Sequence, residues 1–283
     1  MKQKRMVFFS YNYAELVWKK RILIVFLIEF IGLHFMLDKA VVNAASIGDK
    51  YSIFDIFPFL VTNTWSVWLI LLGWFLLVCD YPYRKDGYMY YMIRSSRYQW
   101  LLNQILFLVS LAITYIGGLF ILGNLILFPY IQLENQWGIS ILRGAGDTSY
   151  LAKNGAVVVY EDIVKYLTPV QACVRGSLLL FGLLMVVGML FMVCNLLHGK
   201  YVGYAVVVVM LGLDGMQEGT VWNQIFLSIQ QYVNPISLGR NLKMESIYYT
   251  GLPDFGYCIG LLMVYIIALC IWVKLRIKKV DFN

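Results

Sequence analysis

Three carboxylates, Glu29, Asp214 and Glu218, are the residues of this chain whose types and settings could do chemistry. Glu29 stands in the middle of the apolar run ILIVFLIEFIGLHFML, where a charge is costly to keep away from water. A carboxyl there has a short list of uses. It contacts a transported molecule or a partner subunit, it lines a path, or it hydrogen-bonds a neighbouring helix or stays protonated. Asp214 and Glu218 lie in LDGMQEG, where two glycines end another apolar run. They either line an outer gate or are helix-end residues that face water.

Enzymatic chemistry is poorly supplied. The two histidines, His34 and His198, fall near opposite faces of the expected bundle and no HExxH occurs, so no metal site is expected from this chain alone. No GxxxxGK[ST] is present to cradle nucleotide phosphates. No serine or cysteine has a histidine base at the same expected depth, which disfavours a nucleophilic hydrolase. The chain is therefore expected not to be an enzyme by itself, to have no catalytic residues and to hold no cofactor. Its five cysteines, Cys79, Cys173, Cys194, Cys258 and Cys270, show no CxxC spacing and read mostly as small hydrophobes. Cys173 and Cys258 both fall near the outer face, which leaves a disulfide between them open.

The elements that must position these residues follow from composition. Of 283 residues, 60% are hydrophobic and only 14% charged, more apolar surface than a soluble core can use. The expected fold is an all-α, multi-pass membrane protein forming a single transmembrane domain over 1–283. An interfacial helix is expected at 1–21, with Tyr13, Leu16 and Val17 on one side. Six transmembrane helices are expected at about 22–37, 57–79, 101–128, 177–197, 201–213 and 255–273. The fifth, at 13 residues, reaches only about 20 Å of a roughly 30 Å hydrocarbon core. The following TVWNQIFLSIQQYV, stopped at Asn234 and Pro235, is expected to complete that distance as a re-entrant or interfacial outer-leaflet helix. Residues 129–176 form a polar outer loop, too long for a tight connection and too short for a domain.

Charge sets the orientation. The net charge is +7, and most of the 23 Lys and Arg residues cluster in the N-terminal segment, in 80–104, at Lys200 and after Val273. The positive-inside bias then puts both termini in the cytoplasm, with most acidic residues outside, and localises the chain to the cell (cytoplasmic) membrane. Basic residues that hug membrane spans argue against nucleic-acid binding. The densest such segment is DYPYRKDGYMYYMIRSSRYQWLLNQ, Asp80 to Gln104. At helical spacing, Tyr88, Tyr91 and Met92 share a face, and Arg94 and Arg97 follow. Two readings fit: a cytoplasmic amphipathic helix that docks on a soluble partner, or a basic loop on lipid headgroups.

An inner-surface N-terminal helix, six spans, a basic helix between spans two and three, and a short fifth span with an outer helix ending in NPIS (Asn234 to Ser237) together resemble the membrane subunit of a type-2 ABC exporter (the ABC-2 type transporter family). Asp80, Gly87, Tyr88 to Ile93, Arg94-Ser95-Ser96-Arg97 and Leu101-Leu102 follow the order of that family's second cytoplasmic junction. Where the family often has proline before the arginine and lysine after it, this chain has Ser96 and Asn103/Gln104. The likeness covers most of the chain in architecture but only about 25 residues in motif.

The resemblance implies that Tyr88, Tyr91, Met92, Arg94 and Arg97 form a coupling helix. They would dock on an ATP-hydrolysing subunit present in two copies, which carries ATP and Mg. It also implies a second permease chain, identical or homologous, and export of a hydrophobic or amphipathic substrate such as an antimicrobial peptide, a lipid-like molecule or a drug. Glu29, Asp214 and Glu218 would then be candidates for the path or its gate. The competing expectation is a membrane sensor or accessory protein that binds a partner through the outer loop 129–176.

Overall fold

In a computed structural model of the protein, residues 20–82, 97–146, 159, 161–197, 200–215, 231–242 and 253–276 are described. The protein is mostly helical. Its elements, in chain order, are α1 (Lys20–Ile47), β1 (Tyr51–Ser52), α2 (Ile56–Thr62), α3 (Thr64–Val78) and α4 (Arg97–Leu127). These are followed by β2 (Ile131–Gln132), α5 (Ile139–Gly146), α6 (Glu161–Tyr166), α7 (Pro169–Leu197), α8 (Lys200–Gly215), α9 (Pro235–Gly239) and α10 (Phe255–Arg276).

Three helices, α4, α7 and α10, are long and apolar enough to cross a membrane, and the bent pair α2–α3 would make a fourth. The first expected span lies inside α1, which continues ten residues past Leu37 and carries Lys20, Arg21, Glu29, Asp38 and Lys39 among its 28 residues. Those charges separate it from the uniformly apolar helices. The fifth lies within α8, 16 residues and short for a crossing, as its sequence implies. The expected interfacial helix, the stretch 83–96 and almost all of the outer-leaflet helix lie outside the described residues.

The second span, expected to run unbroken over 57–79, is divided. Its two halves meet at 85°. Asn63 sits between them in extended conformation, and its side-chain oxygen accepts from the backbone N–H groups of Trp65 and Ser66 at 3.0 and 3.2 Å, starting a fresh helix there. Ser66 Oγ donates to Leu60 O at 2.6 Å, satisfying one of the carbonyls that the break would leave orphaned. All seven residues of α2 are buried, so the chain makes this near-right-angle turn inside the protein and not along its surface.

Helix α7 is the hub. It packs against α2, α3, α4, α8, α9 and α10. Of its apolar stretch 72% is buried within the protein, against 33% for α4 and 22% for α10, which instead turn residues such as Ile113, Ile121, Val264 and Ile271 outward. Helices α7 and α10 are both apolar on all sides, so it is the packing partners of α7 that make it the central one. Trp74 of α3 is fully buried against it and donates its indole N–H to Leu184 O at 2.9 Å.

The contacts give the bundle two distinct ends. At one, Arg21 of α1 meets Asp80 at 2.7 Å, and Asn195 of α7 donates to the carbonyls of Cys79 and Tyr81. At the other, the segments that follow α1 and α4 fold together into a cap. Strands β1 and β2 pair in parallel, Tyr51 opposite Ile131 and Ser52 opposite Gln132. Trp137 donates to Leu167 O, and Val170 N–H to Asn135 Oδ1 at the start of α7. Helix α7 begins at Pro169, so the last residues of the expected loop 129–176 are already helical. Cys173 and Cys258 are both buried, free thiols.

Candidate functional site

Glu29 occupies the contact between α1, α3 and α4. It is fully buried. Its Oε1 lies 2.7 Å from the hydroxyl of Tyr115, and the same hydroxyl lies 2.8 Å from the carbonyl oxygen of Ile70. The three groups reach one another because position 73 is glycine: a Cβ there would overlap both the Glu29 carboxyl and the Tyr115 hydroxyl. The rings of Phe26 and Trp74 flank Tyr115, with centroids 5.9 and 5.6 Å away. Glu29 Oε2 finds no hydrogen-bond partner among the described residues. This setting is a helix-to-helix fastening, closed to water in this conformation.

Asp214 is also fully buried. Its Oδ1 accepts from Ser237 Oγ at 2.9 Å and faces Arg240 Nη2 at 3.5 Å, while Oδ2 accepts from Trp68 Nε1 at 3.2 Å. Arg240 in turn donates to Thr64 Oγ1. Asn234 caps α9 by accepting from Ile236 N–H at 3.1 Å, and its amide donates to Met210 O. The end of α8, the turn NPISLGR and the start of α3 are thus tied through one carboxylate. A buried carboxylate that meets a guanidinium and two further donors is well compensated. Of the two sequence readings of Asp214, exposure to water does not fit this burial. Glu218, the second gate candidate, lies outside the described residues.

The cap uses carboxylates differently. Asp49 Oδ2 accepts from Ser140 N–H at 2.6 Å and Oδ1 from Ile139 N–H at 3.3 Å, placing negative charge at the N-terminus of α5. Asp55 Oδ2 accepts from the N–H groups of Ser52 and Gly138 at 2.8 and 3.1 Å, binding the segment after α1 to the segment after α4. Burial outweighs those two bonds and raises the Asp55 carboxyl from its ordinary 3.8 to about 7, with the nearby Asp49 charge adding to the rise.

Of the five docking residues expected in the basic stretch, Tyr88, Tyr91, Met92 and Arg94 lie outside the described residues. Arg97 opens α4 and is exposed, as is Tyr98 beside it. The chain entering this stretch is firmly held: Tyr81 is fully buried and stacks on Phe107 at 6.3 Å, and Asn195 bonds the carbonyls on both sides of Asp80.

Sequence reasoning singled out Glu29 and Asp214 but missed what holds them. Tyr115 and Gly73 carry no local signal, since an aromatic and a glycine in apolar spans are unremarkable. Arg240 did carry one. It is a cation just after NPIS, placed where a buried acid would find it. Among the described residues, no group of three or more acidic, histidine or cysteine side chains could hold a metal ion. Comparison of the chain with protein families, curated proteins and solved structures finds no match.

Proposed function

We propose that this chain is the permease subunit of an ATP-driven exporter of the type-2 ABC class. It would work as a pair of membrane subunits and borrow its energy from two copies of an ATPase subunit docked on residues 88–97. The cargo is hydrophobic or amphipathic, as the apolar, aromatic-rich spans suit. The observation that carries this reading is the anchoring of the basic-aromatic stretch at one end of the bundle. Its entry is tied to α1 through Arg21–Asp80 and to the hub α7 through Asn195, and its exit runs straight into α4.

A push on residues 83–96 would therefore bear on three helices at once. The Arg21–Asp80 pair, with both side chains more than a third exposed, contributes little stability, about 0–1 kcal/mol, so its value lies in register. A two-state transporter also needs interactions that can be made in one state and broken in the other. The Asp214–Arg240–Trp68 tie at the opposite half of the bundle is suited to that, and Glu29 and Asp214 would line a path only after such a tie opens.

Co-purification tests the proposal. An ATPase subunit should come down with the chain in roughly equal copy number, and Arg97→Glu combined with Tyr91→Ala should lose both assembly and stimulation of ATP hydrolysis. Unchanged assembly and stimulation in that variant would rule out docking at this stretch. Recovery of a lone chain that binds a ligand or partner through the cap would instead favour the sensor reading, which the folded cap and its exposed Leu133, Ile139 and Leu142 also suit.

A further inference from the structure

We infer that Glu29 and Tyr115 form a buried proton-binding site, in which the Glu29 carboxyl holds a proton and donates it to the Tyr115 hydroxyl. The number of hydrogens available at the Tyr115 hydroxyl requires it. A tyrosine hydroxyl has one proton and can also accept. Here that oxygen lies within hydrogen-bond distance of two groups, Glu29 Oε1 at 2.7 Å and Ile70 O at 2.8 Å. The Ile70 carbonyl can only accept. If Glu29 were an anion it too could only accept, and one hydrogen would serve two acceptors, leaving two oxygens about 2.8 Å apart with nothing between them. With a protonated Glu29 both contacts are filled in sequence: carboxyl O–H to Tyr115 Oη, Tyr115 O–H to Ile70 O.

The surroundings agree. Among the described residues, Tyr115 from α4 and the backbone at Gly73 from α3 face the carboxyl, and the rings of Phe26 and Trp74 enclose the Tyr115 side of the site. No Lys, Arg or His forms an ion pair with Glu29 among the described residues. His34, on the same helix, lies on its exposed side and stacks on Phe30. Glu29 Oε2 meets no donor among the described residues. A bare carbonyl oxygen tolerates that far better than half of a carboxylate. The site takes one proton from the solvent and gives back a neutral, directional link between three helices. Gly73 is part of it, because any side chain there would occupy the space of the two oxygens.

This assignment concerns the chain alone and is independent of any motor subunit. Infrared spectroscopy of the purified protein in lipid nanodiscs tests it. The wild type minus Glu29→Gln difference spectrum should contain the C=O stretch of a protonated carboxylic acid, shifted in D₂O and constant as the buffer crosses neutrality. Loss of an ionised carboxylate band in its place would overturn the inference. Because Glu29→Gln could fail to assemble, Tyr115→Phe supplies a second readout. Removal of the accepting oxygen should move the Glu29 acid band to higher frequency, and an unmoved band would also overturn it.

Discussion

At the scale of single residues, the fastening of α1, α3 and α4 depends on a position with no side chain. Gly73→Ala should cost about 1–3 kcal/mol by overpacking, because the new methyl meets the Glu29 and Tyr115 oxygens and neither can retreat into free space. Thermal unfolding in detergent measures this. Adding Glu29→Ala should return part of the loss, so the two changes should be non-additive. Asp214 is the other decisive residue. Asp214→Ala removes the buried acceptor on which a guanidinium, an indole N–H and a hydroxyl converge, for a loss of about 3 kcal/mol or more. Asp214→Asn with Arg240→Gln removes both charges together and should cost less than the two single changes summed.

These residues mark where the chain was legible and where it was not. An acid in an apolar run is visible in the sequence because its cost is local. Its remedy is not: Tyr115 lies 86 positions from Glu29, and Trp68 lies 146 from Asp214. Nothing about a tyrosine in an apolar helix says which helix it will face.

At the scale of elements, the break at Asn63 and the cap are the two devices that periodicity alone does not expose. An apolar run from 57 to 79 reads as one helix, although Thr62-Asn63-Thr64 holds a helix-start residue in its middle. The extended backbone at Asn63 and its bonds to Trp65 and Ser66 make use of that residue. Asn63→Leu should weaken both halves by about 1 kcal/mol and slacken the bend, detectable as a changed distance between spin labels on α2 and α3.

The cap carries its own pH dependence. The folded protein holds a proton on Asp55 up to about pH 7, whereas an unfolded chain gives it up near 3.8. Between those values the folded form binds more protons, so the cap loses stability as pH rises, by at most about 1.4 kcal/mol per unit. Hydrogen exchange at the Ser52 and Gly138 amides, corrected for intrinsic rates, should become faster over that window. Asp55→Asn should flatten the trend.

For the whole molecule, the consequence is a polarity of ends. Residues 80–82 and Arg97 on one side, and the cap residues 128–146 on the other, attach to opposite ends of the same helices. On intact cells, an impermeant thiol reagent should label a cysteine introduced at Leu133, 84% exposed on the cap, and spare one introduced between 84 and 97. Labelling of the second site would invert the orientation and remove the docking proposal. The five native cysteines are half-buried or buried, which keeps the background low.

The sequence by itself determined that the molecule has several helices long and apolar enough to cross a membrane, because that is a property of composition and run length. It also determined that basic residues gather beside the apolar runs, that α8 is short, and that Glu29 and Asp214 would need compensation. Only the tertiary structure decided which helix is the hub, where the second span breaks, and that the segments after α1 and α4 fold into a pinned cap. It also decided which side chains meet the buried acids. Those outcomes depend on contacts between positions far apart in the chain, set by which faces fit together once the helices pack, and no local spacing encodes them.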